Sequence, residues 1–184
     1  MDTAFKGMAT KASAIFKTML IFGAIKSYSI MEDVKALNSV AEFHSTFKHP
    51  IEKSPVIPSQ QRCDLRVSLL QEELNELKAA IADNNITEVA DALCDLQYVL
   101  SGAILEFGLG EKFNALFSEV HRSNMSKACK SQEEAEKTIA HYNNAENTEC
   151  YYKKVEDLYL VYRTSDNKTL KSVNYAAAQL QELL

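Results

Sequence analysis

Cysteine is scarce in this 184-residue chain, and its four cysteines are far apart. They are Cys63, Cys94, Cys129 and Cys150, and no two of them form a Cys-x-x-Cys pair. A disulfide framework is not expected, so the thiols are predicted to be reduced, as in ordinary cytosolic proteins. The four histidines form no His-Glu-x-x-His motif, so the sequence predicts no zinc site.

Positive charge is also limited, since 20 Lys and Arg residues face 25 Asp and Glu residues, and the net charge is −5. A general nucleic-acid-binding surface would need clustered Lys and Arg. A membrane span would need about 20 consecutive apolar residues, whereas the longest apolar run near the start covers only residues 19–25. We therefore expect neither nucleic acid nor a membrane as a partner, and a cytoplasmic location.

The first 30 residues differ from the rest because they carry four lysines, one acid and no arginine. Three interpretations are open: an extension upstream of a working start at Met31, an organelle-targeting stretch, or an extra docked helix. A targeting stretch would normally be richer in arginine. We favour the extension over residues 1–30, with residues 31–184 as a single folded domain.

The longest stretch without any Lys, Arg or His runs from residue 79 to residue 111. It overlaps residues 65–105, where apolar residues recur at helical spacing on both sides of an Asp-Asn-Asn turn at 83–85. Two long helices joined by so short a turn must pack antiparallel. Their acidic side chains are Glu72, Glu73 and Glu76 on the first helix and Glu88, Asp91 and Asp95 on the second.

These carboxylates have no basic partner at helical spacing in their own helices. Glu73 shares a stripe with apolar residues and is expected to be partly buried. A buried carboxylate without a partner is neutralised, so several converging carboxylates require a cation. Oxygen-only ligation selects Mg²⁺, with Mn²⁺ as the alternative, over Zn²⁺. The predicted metal ligands are Glu73, Glu76, Glu88 and Asp91.

The second acidic helix has two distinct faces. Its predicted main apolar stripe contains Ile86, Val89, Ala90, Leu93, Leu96, Leu100 and Ile104. The line of acids lies roughly opposite and continues through Val99 and Gly102. Small or apolar residues on that line indicate a cavity or a second packing surface, and a site completed by a dimer would explain both faces.

The remaining segments complete the predicted architecture. A core helix is expected over residues 32–48, and an extended connection follows it where all three prolines lie. A fourth bundle helix is expected over residues 111–120 and a surface helix over residues 131–144. Alternation over 151–163 and again over 169–175, around a turn at 164–168, predicts a β-hairpin at about 151–175 whose tyrosines stabilise it. The predicted fold is an all-α four-helix bundle with a small C-terminal β-hairpin.

Basic and amide side chains follow the fourth predicted helix in the sequence HRSNMSK. Arg122, Asn124 and Lys127 would suit the binding of phosphate oxygens. Arg122 has a structural alternative, because a cation near a helix C-terminus also offsets the helix dipole.

The pattern Glu-Glu-x-x-Glu, followed twelve positions later by Glu-x-x-Asp, resembles the signature of MazG-like all-α nucleotide pyrophosphohydrolases. The phosphoribosyl-ATP pyrophosphatase-like branch fits best. The resemblance extends from about Val40 through EFHSTFKHP, EVADALCDLQYVLSGA and EVHRSNMSK to NYAAAQL. It implies the all-α NTP pyrophosphatase fold, a homodimer or dimer of dimers, and contacts of Asn124 and Lys127 with the nucleotide.

The reaction implied by this resemblance is Mg²⁺-dependent hydrolysis of a nucleoside triphosphate or related nucleotide to the monophosphate and pyrophosphate, in a house-cleaning or nucleotide-pool role. Glu72 or Glu73 is the candidate to orient the attacking water or accept its proton. A non-catalytic helical nucleotide-binding or regulatory module is the alternative. A di-iron carboxylate bundle would need Glu-x-x-His motifs, and neither acidic helix contains a histidine.

Overall fold

The computed structural model describes residues 34–184, so the predicted extension over residues 1–30 lies outside the described residues. Residues Lys35–Leu184 form one compact unit. Its helices are α1 (Ala36–Phe47), α2 (Gln60–Ala82), α3 (Ile86–Glu106), α4 (Phe113–Met125) and α5 (Gln132–Glu146), followed by strands β1 (Cys150–Val155) and β2 (Leu158–Arg163) and a 3₁₀ turn, Leu180–Glu182. The helical fold with a small C-terminal hairpin is confirmed. None of the helices in this part of the chain is both long and apolar enough to cross a membrane.

The two acidic helices, α2 and α3, pack against each other as the predicted hairpin. Asn84 takes the left-handed conformation, with φ of 51°, which asparagine tolerates better than most residues. Asn85 then caps α3, because its side-chain oxygen accepts hydrogen bonds from the backbone N–H groups of Thr87 and Glu88 at 3.1 and 3.3 Å. The turn residues read from the sequence thus account for the reversal of the chain.

The proline-containing connection between α1 and α2 is extended, as predicted, and lies against the end of α3. Its backbone N–H groups at Glu52 and Val56 donate to the carbonyls of Leu105 and Phe107 at 3.0 and 3.1 Å. Gly108 has φ of +69°, and any Cβ there would collide with the carbonyl of Ser54. Glycine is therefore required at this close approach.

Buried charge is concentrated at the open end of the α2–α3 hairpin. Glu106 is 1% exposed and accepts hydrogen bonds from Nε of Arg62 at 3.0 Å, from Nη2 of Arg62, and from Nη2 of Arg66 at 2.5 Å. Burial opposes ionisation of Glu106, but the bonds from the two guanidinium groups outweigh it and lower its pKa. Within α2, Arg62 and Arg66 have no acidic partner at helical spacing. Their partner, Glu106, is on α3 instead.

Gly102 of α3 provides the space for this ion cluster. A Cβ at position 102 would lie 2.7 Å from Nη1 of Arg66 and 3.1 Å from Nε2 of His44. Glycine in a helix interior costs roughly 0.5–1 kcal/mol relative to alanine, and here the absent side chain is replaced by a guanidinium group. His44, which the sequence analysis did not single out, is buried beside it.

Within residues 34–184, the predicted main apolar stripe of α3 is only partly buried: Ile104 is 5% exposed, but several other members are exposed. Ile86, Leu93 and Leu100 are 78%, 51% and 41% exposed. The residues of α3 that are buried near its neighbours include the small side chains of Ala92 and Ser101. Small residues let neighbouring helices approach on the side of α3 that also bears the acids, so the large apolar residues face away.

Helix α4 does not lie along the other helices as a fourth member of one bundle. Its contacts are mainly with the C-terminal segment. The Ser123 hydroxyl is 2.9 Å from the Tyr175 hydroxyl, and a Glu119 carboxylate oxygen accepts from the backbone N–H of Gln179 at 2.9 Å. Polar side chains that hold a neighbouring segment produce no apolar periodicity, so the sequence pattern did not reveal this packing.

The predicted hairpin exists, but its predicted turn was wrong. Strands β1 and β2 pair antiparallel from Cys150 with Arg163 to Val155 with Leu158. The reversal occurs at Glu156, whose φ is 54°, rather than at 164–168, because a two-residue turn interrupts the alternation too briefly to be seen. The tyrosines do stabilise the hairpin, as the facing rings of Tyr151 and Tyr162 are 5.7 Å apart.

The C-terminal part of the chain has its own small core. Ser131 caps α5 by accepting from the backbone N–H of Glu134 at 3.2 Å, as the capping motif predicts. The buried residues of this core are Cys129, Ala135, Tyr142, Val161 and Leu170. All four cysteines are free thiols, which confirms that prediction.

The buried ion cluster leads to a prediction about stability. Glu106→Gln should lower the free energy of unfolding by about 3 kcal/mol at neutral pH, because the buried Arg66 loses its counter-charge. Urea unfolding measures this, with the exposed Glu133→Gln as a control that should change stability by less than about 1 kcal/mol. Equal stability of Glu106→Gln and the unmodified protein would contradict the assignment.

The same comparison should depend on pH. The pKa of Glu106 is lowered from 4.5 in the folded protein. Its stabilising contribution is therefore complete above pH 4.5 and is lost as the pH falls through the lowered value. The difference in unfolding free energy between the two proteins should shrink on acidification below pH 4.5.

Candidate active site

Carboxylates from α2 and α3 act on one another at the middle of the helical hairpin. Glu73 is half-buried, as predicted. Its pKa is raised, first by burial and then by the negative charges of Glu76, Asp95, Glu72 and Asp91. Charges on two different helices therefore act on one carboxyl group, which is the convergence that the motif spacing predicts.

The arrangement follows from the position of the turn. In an antiparallel helical hairpin, residues equally distant from the turn lie at about the same level, because both helices rise 1.5 Å per residue. Glu76 and Asp91 are eight and seven residues from Asn84 in the turn, and Glu72 and Asp95 are one helical turn further along. Two levels of carboxylates, about one helical turn apart, result.

The acids whose charges raise the pKa of Glu73 are not the same as the predicted metal ligands, and the differences concern Glu88 and Asp95. Glu88 is exposed in the first turn of α3, where a negative charge favours the helix N-terminus, and its charge is not among those that raise the pKa of Glu73. Asp95 is among them, although it was left out of the predicted ligands. Its place in the acidic line was the available signal, and Asp95 is added to the candidate set.

We call Glu72, Glu73, Glu76, Asp91 and Asp95 the carboxylate cluster. Its donor atoms fit a hard divalent cation, because all of them are carboxylate oxygens. After burial, the negative charges of four neighbouring acids contribute to the raised pKa of Glu73, and such an ion would offset these charges. Within residues 34–184, however, no three acidic, histidine or cysteine side chains are close enough to enclose an ion together. Glu72, Glu76, Glu88 and Asp91 are exposed.

A cavity of about 230 Å³ lies one helical turn from the carboxylate cluster. It is lined by Val40, Phe43, His44, His49, Arg62, Leu65, Arg66, Leu69, Tyr98 and Val99. Leu69 precedes Glu73 by one turn on α2, and Val99 follows Asp95 by one turn on α3. The cavity and the carboxylates therefore share the same face of the antiparallel hairpin.

The predicted phosphate-binding residues occupy the C-terminal end of α4. Arg122 is held by the Glu119 carboxylate through two bonds of 2.7 Å and also donates to the carbonyl of Ala177. The pair lowers the pKa of Glu119 to about 2, chiefly through the hydrogen bond from Arg122. Arg122 thus has a structural role, and its predicted contact with substrate stays a prediction.

Asn124 and Lys127 are bonded to each other, since Nζ of Lys127 donates to the Asn124 side-chain oxygen at 2.8 Å. Among the described residues, neither of these two side chains makes a hydrogen bond to the carboxylates of α2 and α3. Their roles as substrate ligands therefore also stay predictions.

Comparison with known proteins agrees with this geometry. Residues 40–124 match the family model described as phosphoribosyl-ATP pyrophosphohydrolase. The chain is also 24% identical to an uncharacterized protein of Acanthamoeba polyphaga mimivirus, in an alignment that covers 82% of this chain and 96% of that protein. The matched region contains α2, α3, the carboxylate cluster and the cavity. Residues 40–124 are therefore similar to this family, which belongs to the MazG-like all-α NTP pyrophosphatase superfamily, and this match confirms the resemblance seen in the motifs.

Proposed function

We propose that the protein hydrolyses a nucleoside triphosphate or related nucleotide to the monophosphate and pyrophosphate, with Mg²⁺ or Mn²⁺ held by the carboxylates of α2 and α3. The family match supports nucleotide pyrophosphohydrolase activity in general. The observation that carries the specific proposal is the antiparallel pairing of α2 with α3, which brings acidic side chains of both helices close enough to Glu73 to add to the effect of burial and raise its pKa. Such accumulated negative charge is suited to a cation that in turn binds phosphate oxygens.

The chemistry divides between these residues as follows. A bound divalent ion supplies charge for the phosphate oxygens and lowers the pKa of a water molecule. Glu73, Glu76, Asp91 and Asp95 hold that ion, with Glu88 as a further exposed ligand. Glu72 or Glu73 orients the attacking water and accepts its proton. The oxygen of that water forms a bond to one of the two phosphorus atoms of the α–β phosphoanhydride as the bond from that phosphorus to the bridging oxygen breaks, which releases the monophosphate and pyrophosphate.

The cavity between α1, α2 and α3 is the proposed site of the nucleobase. Its volume of about 230 Å³ suits a base rather than a whole nucleotide, and the neighbouring carboxylates lie where the phosphates would follow. Four aromatic rings line it, those of Phe43, His44, His49 and Tyr98. Phe43 is stacked on His49 at 5.7 Å with their planes 14° apart, and Tyr98 meets Phe43 edge-on at 5.6 Å. Aromatic rings offer stacking to any base.

A second copy of the chain is the proposed partner of the exposed side of the hairpin. Val67, Leu74 and Ile81 on α2 and Ile86, Leu93 and Leu100 on α3 are exposed and recur every seven residues. A seven-residue apolar repeat is the pattern of helices that pack against other helices. Two such stripes on one helical hairpin, together with a fourth helix that packs elsewhere, favour a four-helix bundle completed by a second hairpin.

The main test is pyrophosphate release from nucleoside triphosphates with Mg²⁺. The double variant Glu88→Gln with Asp91→Asn should lose turnover, and it should also lose the Mg²⁺-dependent rise in melting temperature that preferential binding to the folded protein produces. Glu133→Gln, on the exposed surface of α5, is the matched control. Unchanged turnover in the double variant would refute the site, and tight nucleotide binding without pyrophosphate release would identify a non-catalytic module.

The second test concerns the end of α4. Lys127→Ala removes a charge-assisted contact, of roughly 1.5–3 kcal/mol, so kcat/KM should fall by about one to two orders of magnitude. Mg²⁺ affinity of the free protein should stay the same. Asn124→Ala should act in the same direction, whereas the exposed Lys137→Ala serves as control. Full kcat/KM in both variants would limit this segment to a structural role.

The third test concerns assembly. Leu93→Glu places a charge in the apolar stripe and should convert the dimer, or dimer of dimers, to smaller species in light scattering after gel filtration. Phe117→Glu changes an equally exposed apolar residue of α4 and should leave the mass unchanged. A monomeric unmodified protein at micromolar concentration would contradict the proposed partner.

A further inference from the structure

The cavity between α1, α2 and α3 has a one-sided hydrogen-bonding character. Its polar lining consists of His44, His49, Arg62, Arg66 and Tyr98. The two arginines share one carboxylate. One of its oxygens accepts a hydrogen bond from Nε of Arg62, and the other accepts from Nη2 of both arginines, so both oxygens are occupied. That carboxylate, Glu106, is 1% exposed and lies behind the arginines. It offers nothing to a ligand.

His44 also has no free acceptor. Its Nδ1 is 2.8 Å from the carbonyl of Pro50, which can only accept, so Nδ1 carries the proton. Nε2 is then the acceptor for Nη2 of Arg66, at 3.2 Å. Burial, and also the charge of Arg66, lower the pKa of His44, which agrees with a neutral ring. The two arginines carry two positive charges, the carboxylate carries one negative charge and the neutral histidine carries none. The group therefore has one positive charge in excess.

The polar atoms that stay free on the charged residues are donors. Arg62 has a side chain 29% exposed, and among residues 34–184 its Nη1 makes no hydrogen bond. In the same part of the chain, Nε of Arg66 is buried without any partner. His49 and Tyr98 can donate or accept, so they impose no preference. Arg62 is therefore the residue that sets the hydrogen-bonding requirement of this cavity.

Nucleobases differ in whether they carry a carbonyl or an amino group at one position of the ring, and a hydrogen-bond donor can distinguish the two. Hypoxanthine, guanine, uracil and thymine present a carbonyl oxygen at the position where adenine and cytosine carry an amino group. A guanidinium N–H group donates a hydrogen bond to a carbonyl oxygen. It makes no hydrogen bond with an amino group, because the guanidinium and the amino group are both donors. Adenine or cytosine bound in the same orientation would place its amino group against the free N–H groups of Arg62, and losing that hydrogen bond in a partly buried site is costly. The aromatic rings that line the cavity stack on either kind of base.

We propose that Arg62 makes the protein selective for nucleotides whose base carries a carbonyl oxygen in place of the amino group of adenine or cytosine. This inference rests on the proposed function for its placement of the base. Arg62 touches the substrate but not the reacting phosphates, so it determines specificity rather than chemistry. Glu106 holds it in place through two bonds, and Gly102 leaves room for the neighbouring Arg66.

The first arm of the test compares matched substrates on the unmodified protein. ITP with ATP, and UTP with CTP, differ at the group in question. The ratio of kcat/KM should favour ITP and UTP by about tenfold or more. Affinities for IMP and AMP, measured by calorimetry without metal, should show the same order, so that selectivity is read separately from turnover.

The second arm uses Arg62→Gln, with Arg163→Gln as control, because Arg163 is paired with Asp166 on the hairpin. Arg62→Gln should lower kcat/KM for ITP more than for ATP and bring the ITP to ATP ratio close to one. A merely structural role of Arg62 would lower both substrates equally and keep the ratio. Arg163→Gln should keep the ratio of the unmodified protein.

The outcomes separate the two proposals. Ratios near one in both turnover and binding would overturn the selectivity while leaving the hydrolase intact. Absence of pyrophosphate from all four triphosphates would overturn the proposed function, and tighter binding of IMP than AMP would then still support Arg62 as the selective contact. Selectivity that persists in a folded Arg62→Gln variant would overturn the role of Arg62.

Discussion

The ion cluster of Glu106 with Arg62 and Arg66 fixes the open end of the α2–α3 hairpin. The asparagine turn joins the two helices at one end, and it alone would leave their far ends free to separate. Glu106 is close to the end of α3 and Arg62 is close to the start of α2, so their hydrogen bonds close the opposite end. The carboxylate cluster lies between these two attachments, where the helices have no freedom to move apart.

That constraint matters because the carboxylates repel one another. Glu73 keeps its proton more readily than an ordinary glutamate, first because it is partly buried and then because four acidic neighbours surround it. Without ties at both ends, the helices could relieve this repulsion by separating. The structure instead retains unfavourable charge in one place, which is typical of sites where stability has been given up for function.

How much of this could be read from the sequence depends on the interaction concerned. The helical hairpin and the acidic faces were predictable, because turn residues and periodicity are local signals. The attachment of Arg62 and Arg66 to Glu106 was not, since residues 44 and 40 positions apart carry no periodic signature. The exposure of Leu93 was not predictable for a related reason, because an apolar stripe does not tell which helices pack against it. The turn at Glu156 was missed because two residues scarcely disturb a strand pattern.

The separate core around Val161 has a consequence for how this chain can vary. None of its buried members comes from α1, α2 or α3, and the region that matches the family model ends at residue 124, just before this core begins. Among the described residues, α5 and the hairpin pack mainly on each other, so substitutions there act chiefly on this separate core. Over evolution, the C-terminal part can diverge, or be exchanged for another appendage, while the acidic hairpin is inherited unchanged.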